Sequence, residues 1–108
     1  MIYITICGHS YELSFNDQVE DNHKIGMSNL RRGTIWLRKN MPADFEHSTL
    51  LHEVIHQIAC LNSLNLPNEE VTIDVLALGL FQFIRDNPWL AQAITDRTPL
   101  KNMACFSD

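Results

Sequence analysis

The residues of this chain best suited to chemistry lie in one short run, Leu50-Leu51-His52-Glu53-Val54-Ile55-His56-Gln57-Ile58-Ala59-Cys60. Two imidazoles stand four residues apart with a carboxylate between them. On a helix, side chains at i and i+4 lie one above the other, so both rings can reach a single ion. Glu53 follows His52 by one residue and projects beside that ion rather than into its ligand set. A base acting on metal-held water has to stand there. The pattern His-Glu-x-x-His reads as a zinc hydrolase site, given a helix and a third ligand.

The flanking residues supply the helix. Leu51, Val54, Ile55, Ile58 and Leu61 or Leu64 recur with a 3.6-residue period and mark its core side. His52, Glu53, His56, Ala59 and Cys60 fall toward the other flank. The helix is expected to open between Pro42 and Thr49, and Asn62 to Asn68 reads as a turn, since Pro67 cannot continue a helix. Asn68 is a candidate N-cap for a second helix, with Glu69 and Glu70 in its first turn, where the helix dipole favours carboxylates. That electrostatic preference alone would account for acids there. The spacing adds something: Asp74 follows Glu70 by one turn on the same face, and Glu70 lies 14 residues beyond His56, enough for a turn and a return to the ion. Cys60, one turn past His56, reads as a small buried hydrophobe rather than a fourth ligand.

Here the sequence resembles the gluzincin metallopeptidases, in which His-Glu-x-x-His on one helix is followed by Glu-x-x-x-Asp on the next. The resemblance makes His52, His56 and Glu70 the zinc ligands, Glu53 the catalytic base, and Asp74 the group that orients a ligating histidine through its free ring N–H. Glu69 is the rival to Glu70, but Glu69 has Ile73 rather than an acid four residues on. A closer likeness is to the very small, often phage- or prophage-encoded minigluzincins. It is carried by Ser48 to Cys60, Glu69 to Leu80, and Arg85-Asp86-Asn87-Pro88. By the same resemblance a sheet edge lies beside the active-site helix, where an extended peptide adds as another strand. The candidate edge is the 34–38 segment, with an interior strand packed by Trp36 as the alternative.

Composition bounds the rest. A chain of 108 residues with 45% apolar content makes one domain with a small core. Net charge is −5, and the basic residues Arg31, Arg32, Arg38 and Lys39 are clustered, which does not suggest nucleic-acid binding. Arg31-Arg32-Gly33 reads as a solvated hairpin tip. Met1 to Gly8 carries no leading positive charge and does not read as a signal peptide, and no stretch reaches the ~18 apolar residues of a membrane span. The three cysteines, Cys7, Cys60 and Cys105, are widely spaced, which points to a reducing, cytoplasmic setting.

Residues 2–7 and 10–15 alternate apolar and polar about Gly8-His9 and predict a β-hairpin. Asn16 to Asn22 reads as a loop. Residues 24–29 and 34–39 predict a second strand pair. A second helix is expected from Glu69 to Arg85; being apolar almost all round, it is expected to be a central packing element. Residues 88–94 predict a short third helix. The fold class is therefore α+β: a small, mainly antiparallel N-terminal sheet (1–40) packed on two or three helices (42–95), with a tail (96–108), all one zincin-like domain.

The function expected is zinc-dependent hydrolysis of a peptide or protein substrate. The oxyanion support that larger gluzincins usually take from a His or Tyr is not evident. Tyr3 and Tyr11 fall in the sheet, and His9, His23 and His47 qualify by type only. Two other readings stand beside it: a non-catalytic, zinc-containing interaction module, and a latent peptidase whose own tail beyond about residue 96 occupies the cleft. Two imidazoles and a carboxylate suit zinc, though other divalent ions can use such a set.

Overall fold

The chain opens with a tight hairpin. Strand β1 (Ile2–Ile6) turns through Cys7 and Gly8 into β2 (His9–Asn16), and both turn residues have positive φ, 48° and 83°. Two successive left-handed residues give the turn a twist that matches paired strands. The computed structural model describes residues 1–16 and 25–102. The expected loop after Asn16, with His23, and the end of the tail, with Cys105, lie outside the described residues. The second pair is β3 (Gly26–Asn29) and β4 (Thr34–Arg38). Its tip is Leu30 to Gly33, where Asn29 Oδ1 accepts from the Arg32 N–H at 3.1 Å and Gly33 has φ 63°.

The sheet order is β1-β2-β4-β3. Both hairpins are antiparallel, and β4 lies parallel to β2, with Leu13 opposite Ile35. Of the two readings of residues 34–38, the edge strand is therefore wrong and the interior strand is the one found. Strand β4 is interior, with Ile35 and Leu37 fully buried, and the edges are β1 and β3, of which β3 lies closer along α1. The short β3 hairpins back onto β4 and leaves it between two neighbours; the β-branched and aromatic residues Thr34, Ile35 and Trp36 suit a paired strand.

Helix α1 (Ala43–Leu61) follows Pro42, with Asp44 and Glu46 in its first turn. It ends in a Schellman-type closure: Ser63 is left-handed (φ 53°), and the Leu64 N–H donates to the Ala59 carbonyl at 2.8 Å. Helix α2 (Glu69–Asp86) starts after Asn68, as expected, but Asn68 itself is left-handed and makes no side-chain cap bond. Helix α3 (Pro88–Asp96) has its proline in the first turn, where a missing N–H costs nothing. The architecture is α+β, a four-stranded, mainly antiparallel sheet against three helices. No described helix is long and apolar enough to cross a membrane.

Helix α1 presents three adjacent stripes. Leu50, Val54 and Leu61 pack on the sheet cluster of Ile6, Tyr11 and Ile35. Thr49, Glu53 and Gln57, at i, i+4 and i+8, are buried. His52 and His56 form the third stripe, toward α2. The expected core side was only partly right, because Ile58 and Leu64 are exposed and polar residues fill much of the buried face. Helix α2 also departs from expectation. Only Ile73 and Ala77 are buried, while Val71 and Val75 remain 65% and 66% exposed, so α2 is a flanking helix rather than a central one. It packs on α1 along one face and also touches α3.

Strand β3 is held close to α1 at Gly26. A Cβ there would lie 2.9 Å from Thr49 Cγ2 and 3.2 Å from Leu37 Cδ2, and a buried, β-branched threonine has little freedom to yield. Gly26→Ala should lose about 1–3 kcal/mol in urea unfolding from this overpacking, despite the entropy an alanine removes from the unfolded chain. An unchanged midpoint would mean that strand and helix are not in this contact.

Candidate metal centre

The helical spacing puts His52 and His56 side by side with their Nε2 atoms 3.0 Å apart. The first turn of α2 brings Glu70 to the same point. Its Oε1 lies 2.8 Å from His56 Nε2 and its Oε2 lies 3.4 Å from His52 Nε2. On the far side of His52, Nδ1 donates to Asp74 Oδ1 at 2.7 Å, and Nδ1 of His56 faces Glu69 Oε2 at 3.4 Å. A neutral imidazole that carries its proton on Nδ1 presents a lone pair at Nε2. In that tautomer two lone pairs and the Glu70 carboxylate converge on one point, which a cation could occupy.

The donor set fits a divalent ion. Tetrahedral zinc with bonds of about 2.0–2.1 Å holds its ligand atoms about 3.3 Å apart, and the contacts of 2.8, 3.0 and 3.4 Å lie around that value. His52, His56 and Glu70 are also the one group of this kind among the described residues. The two histidine side chains are 15% and 18% exposed and Glu70 is 73% exposed, so the centre opens to solvent on the α2 side. Were these three groups to hold zinc, one tetrahedral position would be left over, as in catalytic rather than structural sites.

Glu53 is buried on the neighbouring stripe, and its Oε1 accepts from Ser28 Oγ of β3 at 2.8 Å. The contact extends inward. Gln57 Nε2 donates to Ser28 Oγ at 2.8 Å, and the Tyr11 hydroxyl donates to Gln57 Oε1, also at 2.8 Å. Four polar side chains from β2, β3 and α1 thus satisfy one another across the helix–sheet interface. Burial pushes the Tyr11 phenol above its usual pKa, with Cys60 and Cys7 adding to the shift.

A groove of about 880 Å³ runs along the centre, with β3 residues Gly26 to Ser28 on one wall and α2 residues Glu70, Asp74 and Leu78 on the other. Cys60 lines it too, exposed rather than buried as expected. Among the described residues the groove has no tyrosine and no histidine besides His52 and His56. His47 lies against Phe81, with ring centroids 6.5 Å apart, and His9 and Tyr3 are exposed on the sheet. Residues 100–102 form a short 3₁₀ turn and do not line the groove; the part of the tail at 103–108 lies outside the described residues.

The structure brings together the expected His52, His56 and Glu70, with Glu53 beside them and Asp74 on His52. Glu69, the rival ligand, faces the outer nitrogen of His56 instead. Sequence reasoning missed Gln57, whose i+4 spacing from Glu53 was a usable signal, and Ser28 and Tyr11, which only the fold brings near. No family model, curated protein or solved structure matches the chain.

Elemental analysis should find one zinc per chain, lost in His52→Ala and Glu70→Ala, with affinity weakened about 10–100-fold in Asp74→Asn. Stoichiometric zinc in Glu70→Ala would place the third ligand elsewhere. Tyr11 gives a pH test. The folded chain keeps the phenolic proton where the unfolded chain releases it. This contribution to stability is therefore complete below about pH 10 and is lost as pH rises through the raised folded value. Tyr11→Phe should be less stable throughout, since Gln57 loses a partner, and should lack that alkaline decline; an unchanged decline would remove Tyr11 as its source.

Proposed function

We propose that this chain is a small zinc-dependent peptidase. The reading is carried by one observation: two imidazole Nε2 atoms and the Glu70 carboxylate converge beside the buried carboxylate of Glu53, at the floor of an open groove. The resemblance to small gluzincins points the same way. His52, His56 and Glu70 would hold the ion, and Asp74 would keep His52 in the tautomer that ligates. Zinc bound there supplies Lewis acidity, activating water and polarising a carbonyl.

The remaining work belongs to the chain's own residues. Glu53 takes the proton of the attacking water and delivers it to the departing amine. Asp74, and more loosely Glu69, fix the ring orientations by accepting from the Nδ1 atoms. The outer edge of β3 has no strand partner among the described residues, so its backbone can receive an extended peptide as a further strand along the groove wall. Such a peptide or protein segment is the substrate class this site suits.

Cleavage of casein or of a peptide library should stop with a chelator, return with zinc, and fall about 10²–10⁴-fold in Glu53→Gln with the zinc retained. A zinc-loaded chain that is inert toward every peptide would favour the non-catalytic interaction module. There Glu53→Gln would leave partner binding intact while His52→Ala destroyed it.

A further inference from the structure

We propose that Ser28, held by Gln57, is the positioning residue for Glu53, and that through it the edge strand β3 sets the alignment of the base. The inference rests on the peptidase reading and adds to it a route by which the substrate's docking strand reaches the reacting carboxylate.

Glu53 sits on a rigid helix, but its side chain has three rotatable bonds, and general-base work needs placement to about 0.5 Å. One hydroxyl supplies it. Ser28 has a single proton, and of its two side-chain neighbours Gln57 presents an NH₂ group, which can only donate. The serine proton is therefore directed to Glu53 Oε1 at 2.8 Å, which leaves Oε2 for the reaction. Gln57 is fixed in turn by Tyr11, whose hydroxyl donates to Oε1 and so turns the amide nitrogen toward Ser28. Were the amide reversed, Ser28 would donate to Gln57 Oε1 and present a lone pair to the carboxylate. The chain thus has one polarity that fits an ionised Glu53, and fully buried Tyr11 anchors it in the core.

The tie to β3 follows from alternation. Gly26 and Ser28 face α1, while Met27 and Asn29 face outward. Gly26 lies against Thr49, one turn before Glu53 on the same stripe. A substrate strand pairing with the outer edge of β3 would add hydrogen bonds to the four-residue strand that carries Ser28, and would steady the donor aimed at Glu53.

The test compares zinc-loaded wild type, Ser28→Ala and Ser28→Thr at one pH. Ser28→Ala should lower kcat about 10–100-fold, with KM, zinc affinity and fold as judged by circular dichroism unchanged; Ser28→Thr, which keeps the hydroxyl, should recover to within a few-fold. An unchanged kcat, or a loss seen in KM or zinc affinity instead, would overturn the proposal. A second readout needs no turnover. The Glu53 side-chain ¹³C carboxyl resonance, assigned by its loss in Glu53→Gln, should shift in Ser28→Ala and not in Ser28→Thr; an unshifted resonance would also overturn it. If wild type cleaves nothing while the resonance shifts, the peptidase reading fails and the positioning role stands.

Discussion

The structure depends on burying polar side chains of α1 against a sheet edge. Thr49, Glu53 and Gln57 occupy the stripe where α1 meets β3, and a buried carboxylate or amide is costly unless its partners are in place. Ser28 and Tyr11 provide those partners. The network works in one register only. A slip of β3 by a single residue would turn Ser28 outward and point Met27 at Glu53, so the requirement to satisfy Glu53 also selects the strand pairing.

The same helix solves two problems on adjacent stripes. One side carries groups that must be dry and fixed; the other carries His52 and His56, which must be reachable from solvent. The carboxylates that complete the second side come from α2, whose Glu70 and Asp74 are largely exposed. Electrostatic demand is thus placed where water can share it, while Glu53 is taken out of water. The closure at Ser63 and Leu64 and the left-handed Asn68 return the chain so that the first turn of α2 meets the histidines.

Much of this was legible in the sequence. Element boundaries fell within a few residues because Gly8, Gly33, Pro42, Pro67 and Pro88 punctuate strongly periodic segments. The pairing of His52 with His56 followed from helical spacing, and Glu70 came from the resemblance, with the spacing of Asp74 and the short return beside it. What was not legible is instructive. Hydrophobic periodicity assigns polar residues to the outside, so it could not show that Glu53 and Gln57 lie inward; that depends on Ser28 and Tyr11, 25 and 46 residues away from their partners in sequence. Strand order was equally hidden, since local composition does not record which hairpin strand is inserted next to β2. The apolar circumference of α2 suggested a central helix, but it packs on α1 along one face and touches α3 besides, which leaves most of its apolar residues exposed.

The α1–α2 seam has few buried apolar side chains to hold it. Apart from Ile73 and Ala77, little apolar surface fastens α2, and the exposed Arg85–Asp44 pair at its far end contributes little. At its near end the seam is closed by the contacts of Glu70 and Asp74 with His52 and His56. Loss of those few contacts would act as an unlatching: α2 and α3 would swing away from a sheet and first helix that keep their own packing, and local opening would precede global melting.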